Sequence, residues 1–352
     1  MIFSPFKFIP KTFLGVDIGT SSLKVVELSR WGEYRTLKNY GELKADALYD
    51  KPFRTFEKNT FLLSSEDIAR AIRAILQETK IKTKRAVFSI PDFSSFFTNF
   101  TIPPVTKEEL TQTVEYEARR HIPLPISSVV FDWQVVKGDI KQKQPLKILL
   151  VAVPKELINQ YQDIGKMAGL EMFALEAEVF GLIQSSFGED KRAIIMLDIG
   201  AQTTTVNVVF GGTIHISHSI DIAGNSFTER LSKSLSIGYK AAHDMKLKDG
   251  LNPTSESSQI LSPLIDVLVT EAQKASQDFK HMAGQEPQKI VLGGGSATLP
   301  RLREYFQKAM GKETEIVNPF RNIFYPPILE ETTKEIGPSY AVAIGMALRG
   351  LE

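Results

Sequence analysis

The sequence lacks several features that would indicate a function directly. None of its 352 residues is a cysteine, which excludes disulfide bonds and thiolate catalysis and suits a reducing cytosol. Its 42 basic and 41 acidic residues give a net charge of +1, so no overall attraction draws the protein to nucleic acid. At 43% hydrophobic content, a chain of this length can bury two cores.

Membrane-spanning and export segments are also missing from the sequence. No stretch approaches the roughly 20 apolar residues that cross a bilayer. Residues 1–11 are apolar, but two prolines and an early lysine do not make a signal peptide. We expect them to form a tail that packs on the protein body, and shallow membrane contact is the open alternative.

Two segments of the sequence share one strand-and-turn pattern. Residues 14–26 are LGVDIGTSSLKVV, and residues 194–206 are IIMLDIGAQTTTV. Each pattern predicts a β-hairpin whose turn glycine lets the backbone approach a ligand and whose amides can hold an anion. Asp17 and Asp198 end the first strands, where each can bind Mg²⁺ directly or through water. Two such hairpins facing each other would clamp a polyphosphate.

A third motif follows near the end of the chain. Residues 289–302 are KIVLGGGSATLPRL, which predicts an apolar strand, three glycines and the beginning of a helix. Three glycines leave no side chain in the way of a flat base or a sugar. The order hairpin, hairpin, strand and glycine triplet therefore favours a nucleotide site over three unrelated turns.

In this order the motifs resemble those of the actin-like ATPase superfamily, which includes actin, heat-shock chaperones, sugar kinases and the division protein FtsA. Within it the chain most resembles the PilM family of type IV pilus assembly proteins. Residues 14–24, 198–201 and 340–349 carry this narrower resemblance, which extends over nearly the whole chain. The resemblance implies an α/β fold with two actin-like lobes and a small α+β subdomain inserted in the first lobe.

The same resemblance divides the chain. The first lobe would cover residues 1–183, with the inserted subdomain at about 84–172, and the second lobe would cover residues 184–352. A C-terminal connecting helix is expected at about 338–350. The residue pattern agrees, because a strand, a helix, two strands and a helix follow Arg85 in turn. Thr106 and Glu109 form a capping-box pattern at the beginning of the first of these helices.

The resemblance further implies that Mg-ATP binds between the lobes, with Asp17 and Asp198 on the metal or its waters. Lys24 and the turn amides would contact the phosphates, and the glycine triplet would contact the adenosine. The residues expected to bind the cofactor are Gly19, Thr20, Ser21, Ser22, Lys24, Gly200, Ala201, Gln202, Thr203, Gly224, Asn225, His243, Lys246, Gly293, Gly294, Gly295 and Ser296.

Two of the positions leave the activity open. His243 stands where the superfamily has an acid that meets the ribose hydroxyls, and a neutral imidazole lacks the two-oxygen geometry of a carboxylate. By register Glu178 matches the acidic residue near the site of water attack, although an ordinary acid at a helix N-terminus, favourable to the helix dipole, is the preferred explanation. No strong base is evident at that site, so any ATP hydrolysis should be slow.

The partners follow from the resemblance alone. In the PilM family, a groove between the first lobe and the inserted subdomain receives the cytoplasmic N-terminal segment of the membrane protein PilN. A PilN-like partner is therefore expected, together with other inner-membrane components of the pilus and the motor ATPase, on the cytoplasmic side of the inner membrane. Self-association stays open. We expect the five phenylalanines of the insert region to form its core, or alternatively to line the groove: Phe88, Phe93, Phe96, Phe97 and Phe100.

Three other functions fit the same motifs. A metabolite kinase of the superfamily would need a catalytic aspartate in a polar cleft, and none stands out. An FtsA-like filament protein usually ends in an amphipathic membrane helix, whereas this chain ends directly after the connecting helix. A scaffold that binds no nucleotide is compatible with His243.

Overall fold

The computed structural model describes residues 11–44, 56–57, 60–61, 63–186 and 190–352. The tail expected at residues 1–11 therefore lies outside the described residues, apart from Lys11. Within the described ranges, the strands form two five-stranded sheets, one three-stranded sheet and one two-stranded ribbon. The ribbon pairs β4 (Phe56–Glu57) with β5 (Thr60–Phe61).

The first five-stranded sheet contains the first predicted hairpin. In spatial order its strands are β10 (Glu171–Ala177), β6 (Arg85–Ile90), β1 (Lys11–Ile18), β2 (Ser22–Trp31) and β3 (Tyr34–Lys44). Strand β1 is antiparallel to β2 across the turn and parallel to β6, which is parallel to β10. Helices α1 (Ser65–Glu78) and α3 (Lys155–Ala168) cover one face, where Leu14 and Val16 share a core with Ile72 and Tyr161.

The second five-stranded sheet repeats this arrangement. In spatial order its strands are β13 (Thr213–Ile220), β12 (Thr204–Phe210), β11 (Ile194–Ile199), β14 (Lys289–Gly293) and β15 (Glu313–Ile316). Strand β11 is antiparallel to β12 and parallel to β14, as β1 is to its two neighbours. The helices that follow are α5 (Gly224–Leu235), α6 (Tyr239–Asp249), α7 (Glu256–Ala283) and α8 (Leu302–Met310). Both predicted hairpins are thus confirmed as elements of the fold.

The three-stranded sheet is inserted in the chain between β6 and β10. Its antiparallel strands are β7 (Phe96–Ile102), β9 (Leu146–Pro154) and β8 (Val129–Lys137), with β9 in the centre. Helix α2 (Lys107–His121) packs on this sheet through Leu110 and Val114. The predicted capping box begins α2, because Thr106 Oγ1 accepts a hydrogen bond from Glu109 N and Thr106 N donates to Glu109 Oε2.

Two helices lie between the five-stranded sheets and link them. Helix α4 (Glu178–Ser186) joins β10 to β11, and helix α9 (Glu330–Leu351) returns from the second sheet to the first. They cross at Gly181 and Gly345, where an added Cβ on either residue would collide with the backbone of the other helix. The lobe boundary expected after residue 183 falls within α4. The C-terminal helix begins at Glu330, eight residues earlier than expected, and contains Pro338.

The expectation that five phenylalanines form the core of the inserted subdomain is wrong for three of them. Phe97 packs against a separate cluster that includes Val179 and Ile214, because its side chain leaves β7 on the opposite face from Phe96. Phe88 lies on β6 and is buried in the core of the first sheet, against which Phe93 also packs. Phe100 is buried in the core of the three-stranded sheet, and Phe96 packs against that core. The sequence pattern places all five in one aromatic segment, but β6 belongs to a different sheet from β7.

Candidate functional site

Acidic side chains lie at the carboxyl ends of three neighbouring parallel strands of the first sheet. Asp17 is the penultimate residue of β1, Asp92 follows β6, and Glu178 directly follows β10. The ends of adjacent parallel strands meet at one edge of a sheet, where ligands of open α/β sheets typically bind. The sequence singled out Asp17 and Glu178, and the structure adds Asp92 to them.

Asp17 is 5% exposed, and its Oδ1 accepts a hydrogen bond of 2.7 Å from Ser89 Oγ on β6. Burial raises the pKa of this carboxyl, and the positive charge of Lys24 opposes the rise. Lys24 is the cross-strand partner of Asp17 in the hairpin. Its Nζ donates to Ser22 Oγ at 2.7 Å and lies 3.8 Å from Glu42 Oε1. The ammonium expected at the phosphates is therefore held beside the first turn.

Asp92 and Glu178 hold each other in place. Asp92 N lies 3.3 Å from Glu178 Oε2, to which it donates, and Asp92 Oδ1 accepts a hydrogen bond of 3.1 Å from Val179 N. Burial, with smaller repulsion from Asp198, raises the pKa of Asp92 to about 8. The pKa of Glu178 is raised well above its usual value by burial first and then by repulsion from Asp17. Asp92 consequently favours its protonated form at neutral pH, and burial shifts Glu178 in the same direction.

The second hairpin turn packs against the beginning of α5 and the loop after β14. Gly224 N donates to Gly200 O at 3.1 Å, and Asn225 N donates to Ala201 O at 2.7 Å. Ser296 Oγ reaches the same turn and donates to Gly200 O at 3.0 Å. A Cβ on Gly224 would collide with Ser296 Oγ, so a side chain at this position would displace the hydroxyl that bonds to Gly200 O. Three segments that the sequence assigned to one ligand thus meet at one place.

Asp198 lies between this turn and the glycine triplet. Burial, with repulsion from Asp17 in the first lobe, raises its pKa to about 6. Gly294 has a φ of +84° and approaches Asp198 so closely that an added Cβ would overlap Oδ1. Gly293 is buried at the end of β14, whereas Gly295 is exposed. Gly295 is therefore the member of the triplet that offers an open backbone surface.

Helix α6 carries the two residues expected near the nucleoside. Lys246 is buried, and its Nζ donates a hydrogen bond of 3.0 Å to Gly224 O. Desolvation lowers the pKa of Lys246 to about 8. His243 lies one helical turn earlier on the same face and is partly exposed.

The two hairpin turns have the same internal hydrogen bond. Gly19 N donates to Ser22 O at 3.0 Å, and Gly200 N donates to Thr203 O at 3.1 Å. The other residues that the sequence assigned to these turns lie at their tips and are partly exposed: Thr20, Ser21, Ala201 and Gln202. The two turns are therefore equivalent in geometry as well as in sequence.

A cleft of about 560 Å³ opens beside the second turn. Asp92 and Phe97 line it on one side, and Gln202 and Asn225 line it on the other. Among the described residues, Asp92 Oδ2 and Gln202 Oε1 are buried and have no hydrogen-bond partner. Buried polar atoms usually have a hydrogen-bond partner, so a ligand or ordered water is needed here.

The donor set fits a magnesium ion that also has ligands from outside the protein. Among the residues that the structure describes, no three His, Asp or Glu side chains form a group that could hold a metal ion unaided. Magnesium keeps several waters and typically takes one or two carboxylates together with substrate phosphates. Asp17 and Asp198 are two hard oxygen donors whose raised pKa values a cation would reduce.

Asp92 and Ser89 are site residues that the sequence pattern did not indicate. Both lie at the end of β6, the parallel neighbour of β1. The signal was a polar residue at the end of an apolar strand, the same signal that identified Asp17. At the end of β6 this signal does not point to the site, because the sequence does not show which strands are neighbours.

The two five-stranded sheets have the same topology, and each contains a hairpin with an Asp-Ile-Gly turn. Together with the two crossing helices that link them, they define the actin-like class of proteins. Solved structures agree with this fold. The ethanolamine utilization protein EutJ from Carboxydothermus hydrogenoformans has a TM-score of 0.59 at 16% identity, covering 97% of this chain and 91% of that chain. MreB5 of Spiroplasma citri bound to ADP has a TM-score of 0.53 at 16% identity, covering 95% of this chain and 94% of that chain.

The chain belongs to the PilM family of type IV pilus assembly proteins, because the model described as type IV pilus assembly protein PilM matches residues 15–351. It superposes on a PilM-PilN type IV pilus biogenesis complex with a TM-score of 0.84 at 25% identity, covering 96% of this chain and 98% of that chain. Cell division protein FtsA of Streptococcus pneumoniae is 22% identical over 344 residues, covering 87% of this chain and 75% of the relative. The expected family is thereby confirmed.

Among the described residues, no helix combines the length and the apolar character needed to cross a bilayer.

Proposed function

We propose that the protein is a scaffold of the type IV pilus, or of a related secretion complex, that binds Mg-ATP between its lobes and binds the N-terminal tail of a PilN-like membrane protein. One observation carries the nucleotide part. Asp17 and Asp198, from equivalent turns in different lobes, are close enough for the first to raise the pKa of the second. The fold neighbour MreB5 is bound to ADP, which is consistent with this proposal.

The proposed roles follow the geometry of the two turns. Asp17 and Asp198 would hold Mg²⁺ or its waters, and the bound ion would supply positive charge to the phosphates. Lys24 would turn from Ser22 toward the phosphates at the first turn. Gly295 would give the adenosine an open surface, with Lys246 and His243 beside it.

The proposed ligand acts mainly on conformation. Only a closed arrangement of the lobes lets both turns contact one ligand, so binding favours that arrangement. Burial raises the pKa values of Glu178 and Asp92, which reduces the ionised fraction that could accept a proton from water. Any hydrolysis should therefore be slow, and Glu178 stays the candidate residue beside the attacking water.

Gly295 allows a direct test of the nucleoside surface. An added Cβ on Gly295 has only Ser339 Cβ within contact range, at 3.8 Å, so Gly295→Leu should fold normally. It should weaken ATP binding, measured by calorimetry, at least about tenfold by occupying the base surface. Gln307→Leu is the matched control, because Gln307 is exposed on the nearby helix α8 and outside the expected contacts. Unchanged affinity in Gly295→Leu would refute the assignment.

The partner part of the proposal rests on the match to the PilM-PilN complex. The expected groove lies between the first lobe and the inserted sheet. The cleft of about 560 Å³ beside the second turn instead lies between the inserted sheet and the second lobe, so it is not that groove. The groove stays a prediction.

Tryptophan fluorescence can test the partner, because the chain has only two tryptophans. Trp133 lies on β8 of the inserted sheet, and Trp31 ends β2. In Trp31→Phe, a synthetic peptide of the PilN-like N-terminus should change the emission of Trp133 saturably in the micromolar range. In Trp133→Phe, the peptide should change the emission of the remaining Trp31 less, because Trp31 is remote from the insert in the fold. The absence of both a fluorescence change and calorimetric heat would reject the pilus partner.

The FtsA relatives favour one further candidate, an actin-like filament. Sedimentation with and without Mg-ATP distinguishes the two functions. A filament protein should pellet in a nucleotide-dependent way at concentrations where the proposed scaffold stays in small species.

A further inference from the structure

A second cleft, of about 770 Å³, separates the inserted sheet from the second lobe. Phe97, Lys137 and Lys147 line it from the inserted sheet, and His215 and Met282 line it from the second lobe. A volume of this size is typical of small-molecule sites. The lining combines apolar surface with basic groups, and none of the described residues that line the cleft is acidic.

The two lysines stand directly opposite each other. Lys137 at the end of β8 is the register partner of Lys147 on β9. Like charges at opposed positions of neighbouring strands destabilise a sheet. Within the part of the chain that the structure describes, neither ammonium has a carboxylate within ion-pair distance. This concentration of positive charge therefore has no counter-charge from the described residues.

The Lys147 ammonium has a weak acceptor in place of an anion. Its Nζ lies 2.8 Å from Met282 Sδ at the end of α7, and a thioether sulfur accepts hydrogen bonds poorly. Burial lowers the pKa of Lys147, and repulsion from Lys137 lowers it further. An anion in the cleft would relieve both effects.

His215 adds a third basic group across the cleft. Its pKa is lowered by burial first and then by Lys147, and a hydrogen bond with the Phe210 backbone opposes this. Asn99 Nδ2 donates to His215 O at 3.1 Å and so joins the inserted sheet to β13. Asn99 also lines the cleft, and its amide oxygen is buried without a partner among the described residues. A ligand with a hydroxyl group would satisfy it.

We propose that this cleft binds a small phosphorylated molecule, whose phosphoryl group lies between Lys137 and Lys147 and faces His215. Lysine is a common phosphate-binding residue, and a dianion balances two ammonium groups. The rest of the ligand packs against Phe97 and offers a hydroxyl to Asn99. This site is separate from the proposed ATP site, and its ligand would join the insert to the second lobe.

Methyl NMR gives a local readout of the binding. Inorganic phosphate and ribose 5-phosphate are titrated at constant ionic strength into protein labelled at its methionine methyl groups. The Met282 methyl signal, assigned with Met282→Leu, should shift saturably as Lys147 leaves the sulfur. Ribose 5-phosphate should bind more tightly than phosphate, because its hydroxyls reach Asn99. A Met282 signal that does not move with either probe overturns the proposal.

Matched charge variants complete the test. The double variant Lys137→Gln/Lys147→Gln should weaken ribose 5-phosphate at least about tenfold, since charge-assisted bonds are lost. The control Lys141→Gln/Lys143→Gln removes the same amount of charge from the loop between β8 and β9. It should bind ribose 5-phosphate as the wild type does. Equal loss in both variants would show a nonspecific effect and refute the site. Because Lys137 and Lys147 repel each other, their replacement should leave folding intact. If the double variant does not fold, the titration of the wild type alone decides whether the site exists.

Discussion

Helices α4 and α9 pack tightly where they cross, and this packing determines whether an alanine at Gly345 stabilises or destabilises the protein. At Gly345, an alanine methyl would overlap the carbonyl group of Gly181. In the reverse direction, a methyl on Gly181 would lie 2.9 Å from Val342 O and 2.7 Å from Met346 Cε. Because backbone atoms stand on both sides of the crossing, no side-chain rotation can relieve the overlap. The two helices must therefore separate in Gly345→Ala.

Two effects of opposite sign set the magnitude. Alanine in a helix interior is favoured over glycine by about 1 kcal/mol. Forced separation of packed elements costs about 1–3 kcal/mol, and a backbone-to-backbone overlap belongs at the upper end. Gly345→Ala should therefore destabilise the protein by about 1–2 kcal/mol net. Gly165→Ala in α3 is the matched control, because its methyl would lie 3.5 Å from Met172 Cε, an ordinary contact.

Urea unfolding of the two variants tests this reasoning. Gly165→Ala should gain up to about 1 kcal/mol from helix propensity, so the variants should differ by roughly 2–3 kcal/mol. Equal unfolding midpoints for the two variants would refute the close crossing. Since both helices link the sheets, Gly345→Ala should also weaken ATP binding if closure of the lobes depends on this crossing.

Three further variants test local electrostatics and capping by urea unfolding. The hydrogen bond from Arg192 lowers the pKa of Asp190 to about 2. Arg192→Gln should therefore cost about 1 kcal/mol above pH 4, since solvent screens this partly exposed pair, and this difference should shrink as the pH falls toward 2. Desolvation lowers the pKa of Lys246 to about 8, so the unfolded chain binds more protons above that pH. The free energy of unfolding of the wild type should therefore rise between pH 8 and about 10, and that of Lys246→Met should not show this rise. Thr106→Ala should cost about 1 kcal/mol by removing the capping box of α2, and no loss would contradict that geometry.

Local patterns in the sequence predict much of this fold. The apolar runs around Asp17 and Asp198 predict both hairpins, because strand alternation and turn glycines are determined within a few residues. The capping box of α2 is predictable for the same reason, since Thr106 and Glu109 are three residues apart. Each of these features needs no information about distant parts of the chain.

Contacts between distant segments could not be predicted in this way. Asp92 meets Glu178 only because β6 and β10 are neighbours, which is a property of the sheet order. Phe88 belongs to the first core for the same reason, although it stands next to the insert in the sequence. Lys137 and Lys147 are opposed only because the β8–β9 hairpin has this register. Such pairings depend on topology, which one sequence does not reveal.

The central claim is that turns from two lobes hold the same Mg-ATP. Calorimetric titration of ATP, with magnesium and with EDTA, into Asp17→Asn, Asp198→Asn and the double variant tests it directly. Each single variant should lose the magnesium-dependent affinity, about tenfold or more, and the double variant should lose little beyond that because one shared ion is involved. Asp278→Asn, an exposed position on α7, should bind as the wild type does. Wild-type affinity in either single variant would contradict the account.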